Sequence, residues 1–107
     1  MAKDAQKIIE EWRNFVPPLS AKEDVQAVVE EKFPTLYRSA SDGSHFIIIT
    51  DPFLAIAQKH GRDTGTAGGT LSIALKSGKS VKAVYVKNLL KAIAIKEELA
   101  RELDQGE

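Results

Sequence analysis

The 107-residue chain contains no cysteine, so neither a disulfide framework nor a thiolate zinc site is open to it, and its composition suits a reducing compartment. Histidine is almost as scarce, with only His45 and His60, well separated in the chain. Two distant imidazoles give little support to a transition-metal centre, and neither a metal nor a cofactor is expected. Long apolar runs are also missing. No stretch approaches the roughly 18 residues of a membrane-spanning helix, and the charged opening residues lack the apolar core of a signal peptide, so the expectation is a cytoplasmic protein with no membrane association. Net charge is absent too: 15 Lys and Arg balance 15 Asp and Glu, which argues against an indiscriminate polyanion binder. Gly65, Gly68 and Gly69 cluster without the Lys-Ser/Thr ending of a phosphate loop, which disfavours a nucleotide site there.

What is present is enough apolar material for one core. A hydrophobic fraction of 43% in 107 residues suits a single domain. The balanced charge is unevenly spread. Residues 1–51 carry six basic and nine acidic side chains, residues 52–91 seven basic and one acidic, and residues 92–107 two basic and five acidic. A basic middle between acidic ends is either a nucleic-acid footprint or ordinary solvated lysine flanked by acidic helices.

Periodicity outlines the elements. Ile8, Ile9, Trp12 and Phe15 recur at helical spacing over 3–15, and Pro17-Pro18 ends that helix. Trp12 and Phe15 are expected to pack on the core or on a partner. Ser20 with Glu23 three residues on has the pattern of a capping box, and Val25, Val28, Val29 and Phe33 extend the apolar stripe until Pro34, predicting a second helix over 20–32. Two β-favouring runs, 36–40 and 45–50, are joined by a polar link containing Asp42-Gly43, a hairpin signal. Asp51 before Pro52 predicts a capped short helix over 53–60, and the Gly/Thr-rich stretch 61–69 reads as a mobile loop. Leu71, Ile73 and Leu75 alternate over 70–76 as a third strand. From about Val81 the period becomes helical, with Val86, Leu89, Leu90, Ile93, Leu99 and Leu103 inward and Lys82, Lys87, Lys91 and Lys96 outward. A competing reading makes 80–86 a fourth strand paired with 70–76.

Helix, two strands, a third strand and a closing helix is the order of a double-stranded-RNA-binding-like sandwich, and within it particular residues resemble the HicA family of RNA-cleaving toxins. Gly43-Ser44-His45 stands where that family has Gly-Ser-His opening a strand, and residues 79–91 run without a gap alongside its basic turn and closing helix. The resemblance covers about 21–95. Phe46 stands where active members often have a second His, and Val84-Tyr85 where they have Gly-Thr. Residues 1–19, 51–69 and the tail after Ile95 are additional to the family pattern. The resemblance implies an α+β fold, a three-stranded antiparallel sheet with two core helices, as a HicA-like domain over 20–105 preceded by an N-terminal helical extension over 1–19.

It also implies a function, an RNA-binding protein and metal-independent endoribonuclease of a toxin–antitoxin pair, with RNA as ligand and a cognate antitoxin as partner. RNA cleavage without a metal needs a base for the 2′-hydroxyl, an acid for the leaving oxygen and cations for the phosphorane. By resemblance His45 is the acid or base, Gly43 and Ser44 shape its approach, and Lys76, Lys79, Lys82 and Lys87 contact phosphate. The residues alone leave His45 open between that role and an exposed or structural strand histidine. His60, in Lys59-His60-Gly61-Arg62, is either a second functional group or a solvated loop residue. The alternative function is a non-enzymatic interaction module that reuses the same fold to bind another protein.

Overall fold

Asp4 accepts a hydrogen bond from the Gln6 amide and opens α1 (Ala5–Asn14), in which Ile8, Ile9 and Trp12 are buried. A computed structural model describes residues 4–39, 45–76 and 78–105, and the side chains of all of these except 45 and 103–105. Ten residues are too few for a stable isolated helix. Burial of Ile8 and Ile9, at about 1.5–3 kcal/mol each, supplies what propensity does not. The chain continues through β1 (Leu19–Ala21), α2 (Lys22–Lys32), β2 (Tyr37–Ser39), β3 (His45–Thr50), α3 (Pro52–Lys59), β4 (Thr70–Ala74), β5 (Ser80–Lys82) and α4 (Ala83–Gln105).

Strand β3 is the centre of a three-stranded antiparallel sheet in the order β2-β3-β4. Tyr37 lies opposite Ile49 and Ser39 opposite Ile47, and across the other ladder Ile47 pairs with Ile73 and Ile49 with Leu71. Because strand side chains alternate, Ile47, Ile49, Leu71 and Ile73 share one face. All four are buried in a single cluster with Val25, Val28, Val29 and Phe33 of the α2 region, Val86, Leu89 and Ile93 of α4, and the apolar stripe of α1. Arg38, Ile48 and Ser72 form the row on the opposite face. Among the described residues the result is an α+β domain of four helices and two small antiparallel sheets.

The second sheet departs from the sequence expectation. Leu19, Ser20 and Ala21 pair with Lys82, Val81 and Ser80, from opposite ends of the domain and over too few residues for periodicity to register. This pairing displaces the capping box. Ser20 is buried within β1, and α2 starts at Lys22 with Ala21 as a cap that offers no side-chain hydrogen bond. The two readings of 80–86 are both partly realised: Ser80–Lys82 is a strand, but its ladder partner is β1, and helix follows directly from Ala83.

Other expectations are met or corrected residue by residue. Asp51 caps α3 by accepting from the Phe53 amide at 2.9 Å, with Pro52 in the first turn, as its sequence suggests. Phe15, expected on the core or a partner, is 69% exposed and so is not on the core, whereas Trp12 is buried, because α1 ends at Asn14 and the extended backbone at Phe15 leaves the helical stripe. Lys96, expected towards solvent, lies over the Phe33 ring at 4.4 Å from its centroid and 3.1 Å from Asp51 Oδ2. The stretch 61–69, expected to be mobile, is docked on α4. Arg62 pairs with Glu98 at 3.1 Å and Glu102 at 2.8 Å, Asp63 pairs with Lys91 at 3.0 Å, and the Gly68 amide donates to Gln58 Oε1 at 2.8 Å. Gly65 permits the docking: its φ is +72°, and a Cβ there would stand 2.6 Å from the Asn88 carbonyl oxygen. The Asp42-Gly43 turn of the hairpin lies outside the described residues.

Candidate nucleic-acid interface

The groove that gathers the basic residues is made where β4 hands over to β5. The Lys76 amide donates to the Ser80 carbonyl at 2.7 Å, and the Lys79 and Ser80 amides donate back to the Lys76 carbonyl at 3.2 and 3.3 Å. Gly78, at φ +71°, supplies the left-handed residue this tight turn needs. The chain therefore doubles back at once, and β5 runs straight into α4, with the Ala83 amide donating to the Pro18 carbonyl at 3.1 Å. Lys76 before the turn and Lys82 after it consequently line one groove of about 250 Å³ with Ala74, Leu75 and Tyr85. Lys76, Lys79 and Lys82 are all exposed.

The electrostatics of this groove are of one sign. Among the described residues no carboxylate lines it, and the first turn of α4 carries no acidic side chain. That turn is the amino end of a 23-residue helix, where the aligned peptide dipoles place a partial positive charge. Two ammonium groups and a helix amino terminus around a shallow groove can take an anionic oxygen without any carboxylate having to be displaced.

His45 enters through the backbone. It lies opposite Ala74, a wall residue of the groove, and the β3–β4 register shifts between His45 and Ile47. Such an irregularity re-aims the strand at its end. The His45 side chain, Gly43 and Ser44 lie outside the described side chains and residues.

Lys87 is not brought to this groove. It follows Tyr85 by two residues, about 200° around an α-helix, and shares a helical face with Lys91, which pairs with Asp63 of the docked loop. Lys76 and Lys82 thus share one groove, Lys79 is exposed on the turn between them, and Lys87 does not line it. Asp63 sits below the usual carboxylate range because the Lys91 hydrogen bond, the Gly65 amide and the Lys91 charge all favour its ionised form.

His60 is placed elsewhere again. It caps the carboxyl end of α3 through its backbone amide and is exposed, lining a mainly apolar groove of about 400 Å³ with Phe53, Ile56, Ala57, Arg62, Leu99 and Glu102. That groove and the lysine groove have no lining residue in common. The sequence did not single out Tyr85 as a site residue. Its only signal was that Val84-Tyr85 replaces Gly-Thr at the head of the closing helix.

Among the described residues there is no group of three or more His, Cys, Asp or Glu side chains placed to hold a metal ion, and no helix is long and apolar enough to cross a membrane. No family model, curated protein or solved structure matches the chain.

Proposed function

We propose that this chain is an RNA-binding domain of the HicA type, engaging RNA at the Lys76–Lys79–Lys82 surface and cleaving it with His45 as acid or base. The observation that carries the reading is the groove itself: Lys76, Lys82 and the first turn of α4 converge on it without a carboxylate among the described residues, and the backbone of His45 is paired to its wall at Ala74. In the reaction a base takes the proton of the ribose 2′-hydroxyl, the 2′-oxygen attacks phosphorus, and the departing 5′-oxygen receives a proton. The products are a 2′,3′-cyclic phosphate and a free 5′-hydroxyl. Lysines at the groove stabilise the charge that develops on the phosphorane. A cytoplasmic location and control by a cognate antitoxin belong to the same proposal.

The test is induction of the full chain in cells, reading growth and RNA decay for wild type and His45→Ala, followed by cleavage of a defined RNA by purified protein in EDTA. Cleavage should persist in EDTA, and His45→Ala should lower it by about 10²- to 10⁴-fold with fold and RNA binding kept. Activity that requires Mg²⁺, or that survives the loss of His45, would remove this mechanism.

A second reading, a protein-interaction module without catalysis, is favoured by the apolar surface between α3 and α4, where Phe53 is 57% and Ile56 55% exposed. Absence of binding to any RNA, together with a partner lost on Phe53→Ser/Ile56→Ser, would select it.

A further inference from the structure

Among the described residues that line the lysine groove, Tyr85 is the one aromatic. Tyr85 lines it together with Lys76 and Lys82, is half-buried, and packs against the hydrophobic core. Its side chain is therefore held by the core while part of it borders the groove. At about 250 Å³ the groove is smaller than the roughly 300–1,000 Å³ of pockets that enclose whole drug-sized ligands. It has room for one unit of a polymer, flanked by cations.

We infer that Tyr85 is the base-stacking residue of this groove, so that an unpaired base lies on its ring while the neighbouring phosphates meet Lys76 and Lys82. This rests on the RNA reading of the groove and adds to it a determinant of strandedness. An aromatic face recognises a base only when that base is out of its helix, because A-form duplex buries the base faces in its own stack and offers phosphates and 2′-hydroxyls instead. Lysines alone would serve duplex and single strand alike. A ring in the same groove discriminates.

The experiment measures affinities of the full chain for a labelled single-stranded RNA and for its duplex, with wild type, Tyr85→Phe and Tyr85→Leu, folding being checked by circular dichroism. Leucine keeps an apolar side chain against the core but has no ring. A 2-aminopurine in the single strand reports stacking by loss of its fluorescence. Tyr85→Leu should weaken single-strand binding by about 5- to 150-fold, restore the 2-aminopurine signal and leave duplex binding unchanged, while Tyr85→Phe stays close to wild type. If wild type binds RNA and Tyr85→Leu binds the single strand equally well, or if Tyr85→Phe loses as much as Tyr85→Leu, stacking is overturned and the RNA reading stands. If wild type binds neither form, the RNA reading itself fails, and the role of Tyr85 with it.

Discussion

Replacing Lys96 by methionine is the sharpest test of how the core is held, because it leaves a buried carboxylate without its cation. The Asp51 side chain is fully buried. One oxygen caps α3 through the Phe53 amide at 2.9 Å, and the other is 3.1 Å from Lys96 Nζ, at ion-pair distance but outside hydrogen-bond alignment. Lys96 also donates to the Lys32 carbonyl at 3.0 Å and lies over Phe33, so a single ammonium ties α4 to the end of α2 and the start of α3. At 3.1 Å in an effective dielectric of about 20 the gross attraction is about 5 kcal/mol. Water screens part of it, since the Lys96 side chain is one-quarter exposed. Removing one partner of a buried pair costs about 3–5 kcal/mol, and this exposure places the loss near the lower end, about 3 kcal/mol, with up to about 1 kcal/mol more from the lost cation–π contact.

An unfolding entropy of about 2.1 cal/mol/K per residue converts that loss to a fall in Tm of about 13–18 °C for a chain of this length. Urea unfolding should show a lower midpoint at unchanged m-value. The decisive comparison is Asp51→Asn/Lys96→Met. Asparagine still caps the helix but carries no charge to strand, so the double variant should be about 2 kcal/mol more stable than Lys96→Met alone. Strict additivity of the two single losses would refute the coupling, as would a Lys96→Met variant that loses less than about 1 kcal/mol.

Gly65→Ala should destabilise the domain by at least about 1–3 kcal/mol, the usual cost of a left-handed non-glycine residue, with the clash against the Asn88 carbonyl added; chemical denaturation measures it, and a neutral result would mean that the loop does not dock as described. The Asp63 carboxyl should titrate below the usual carboxylate range by carbon NMR and return towards it in Lys91→Met. Since its folded value is the lower one, its contribution to stability is present above the unfolded value and fades as pH falls through the folded one, an acid-side loss that Lys91→Met should reduce, the Gly65 hydrogen bond remaining. RNA binding that uses Lys76, Lys79 and Lys82 should weaken by about 20-fold between 50 and 200 mM salt for a single strand. Lys82→Glu should abolish it while Lys87→Glu spares it, and equal losses from the two would contradict their separation on α4.

Much of the fold was legible because its signals are local. The stripes of α1, α2 and α4, the alternation of Leu71 and Ile73, and the Asp51-Pro52 cap each lie within one element and need no partner to be recognised. What escaped was non-local. The β1–β5 ribbon joins three residues near the start of the chain to three near the closing helix, and a three-residue strand has no period to read. Ser20 shows the consequence: local chemistry marks it as a cap, and pairing with Val81 takes it instead. Lys96 shows the same competition on a helix. Its stem and charge place it outside by pattern, yet Asp51, buried to cap α3, needs a cation, and Lys96 is the one that α4 brings within reach.

The site divides along the same line. Lys76, Lys79 and Lys82 could be grouped from sequence because a turn of a few residues holds them together, and proximity in the chain became proximity in space. Lys87 was grouped with them by the same proximity but does not line the groove, since two helical residues past Tyr85 reverse the direction in which a side chain leaves α4. Tyr85 was passed over for a related reason. As a position in an aligned motif it is only a departure from Gly-Thr. Once β5 is known to run unbroken into α4, Tyr85 in the first turn of the helix comes to line the same groove as Lys76 and Lys82. Charge content pointed to this surface, but the geometry of one strand-to-helix junction decides which of its residues share a groove.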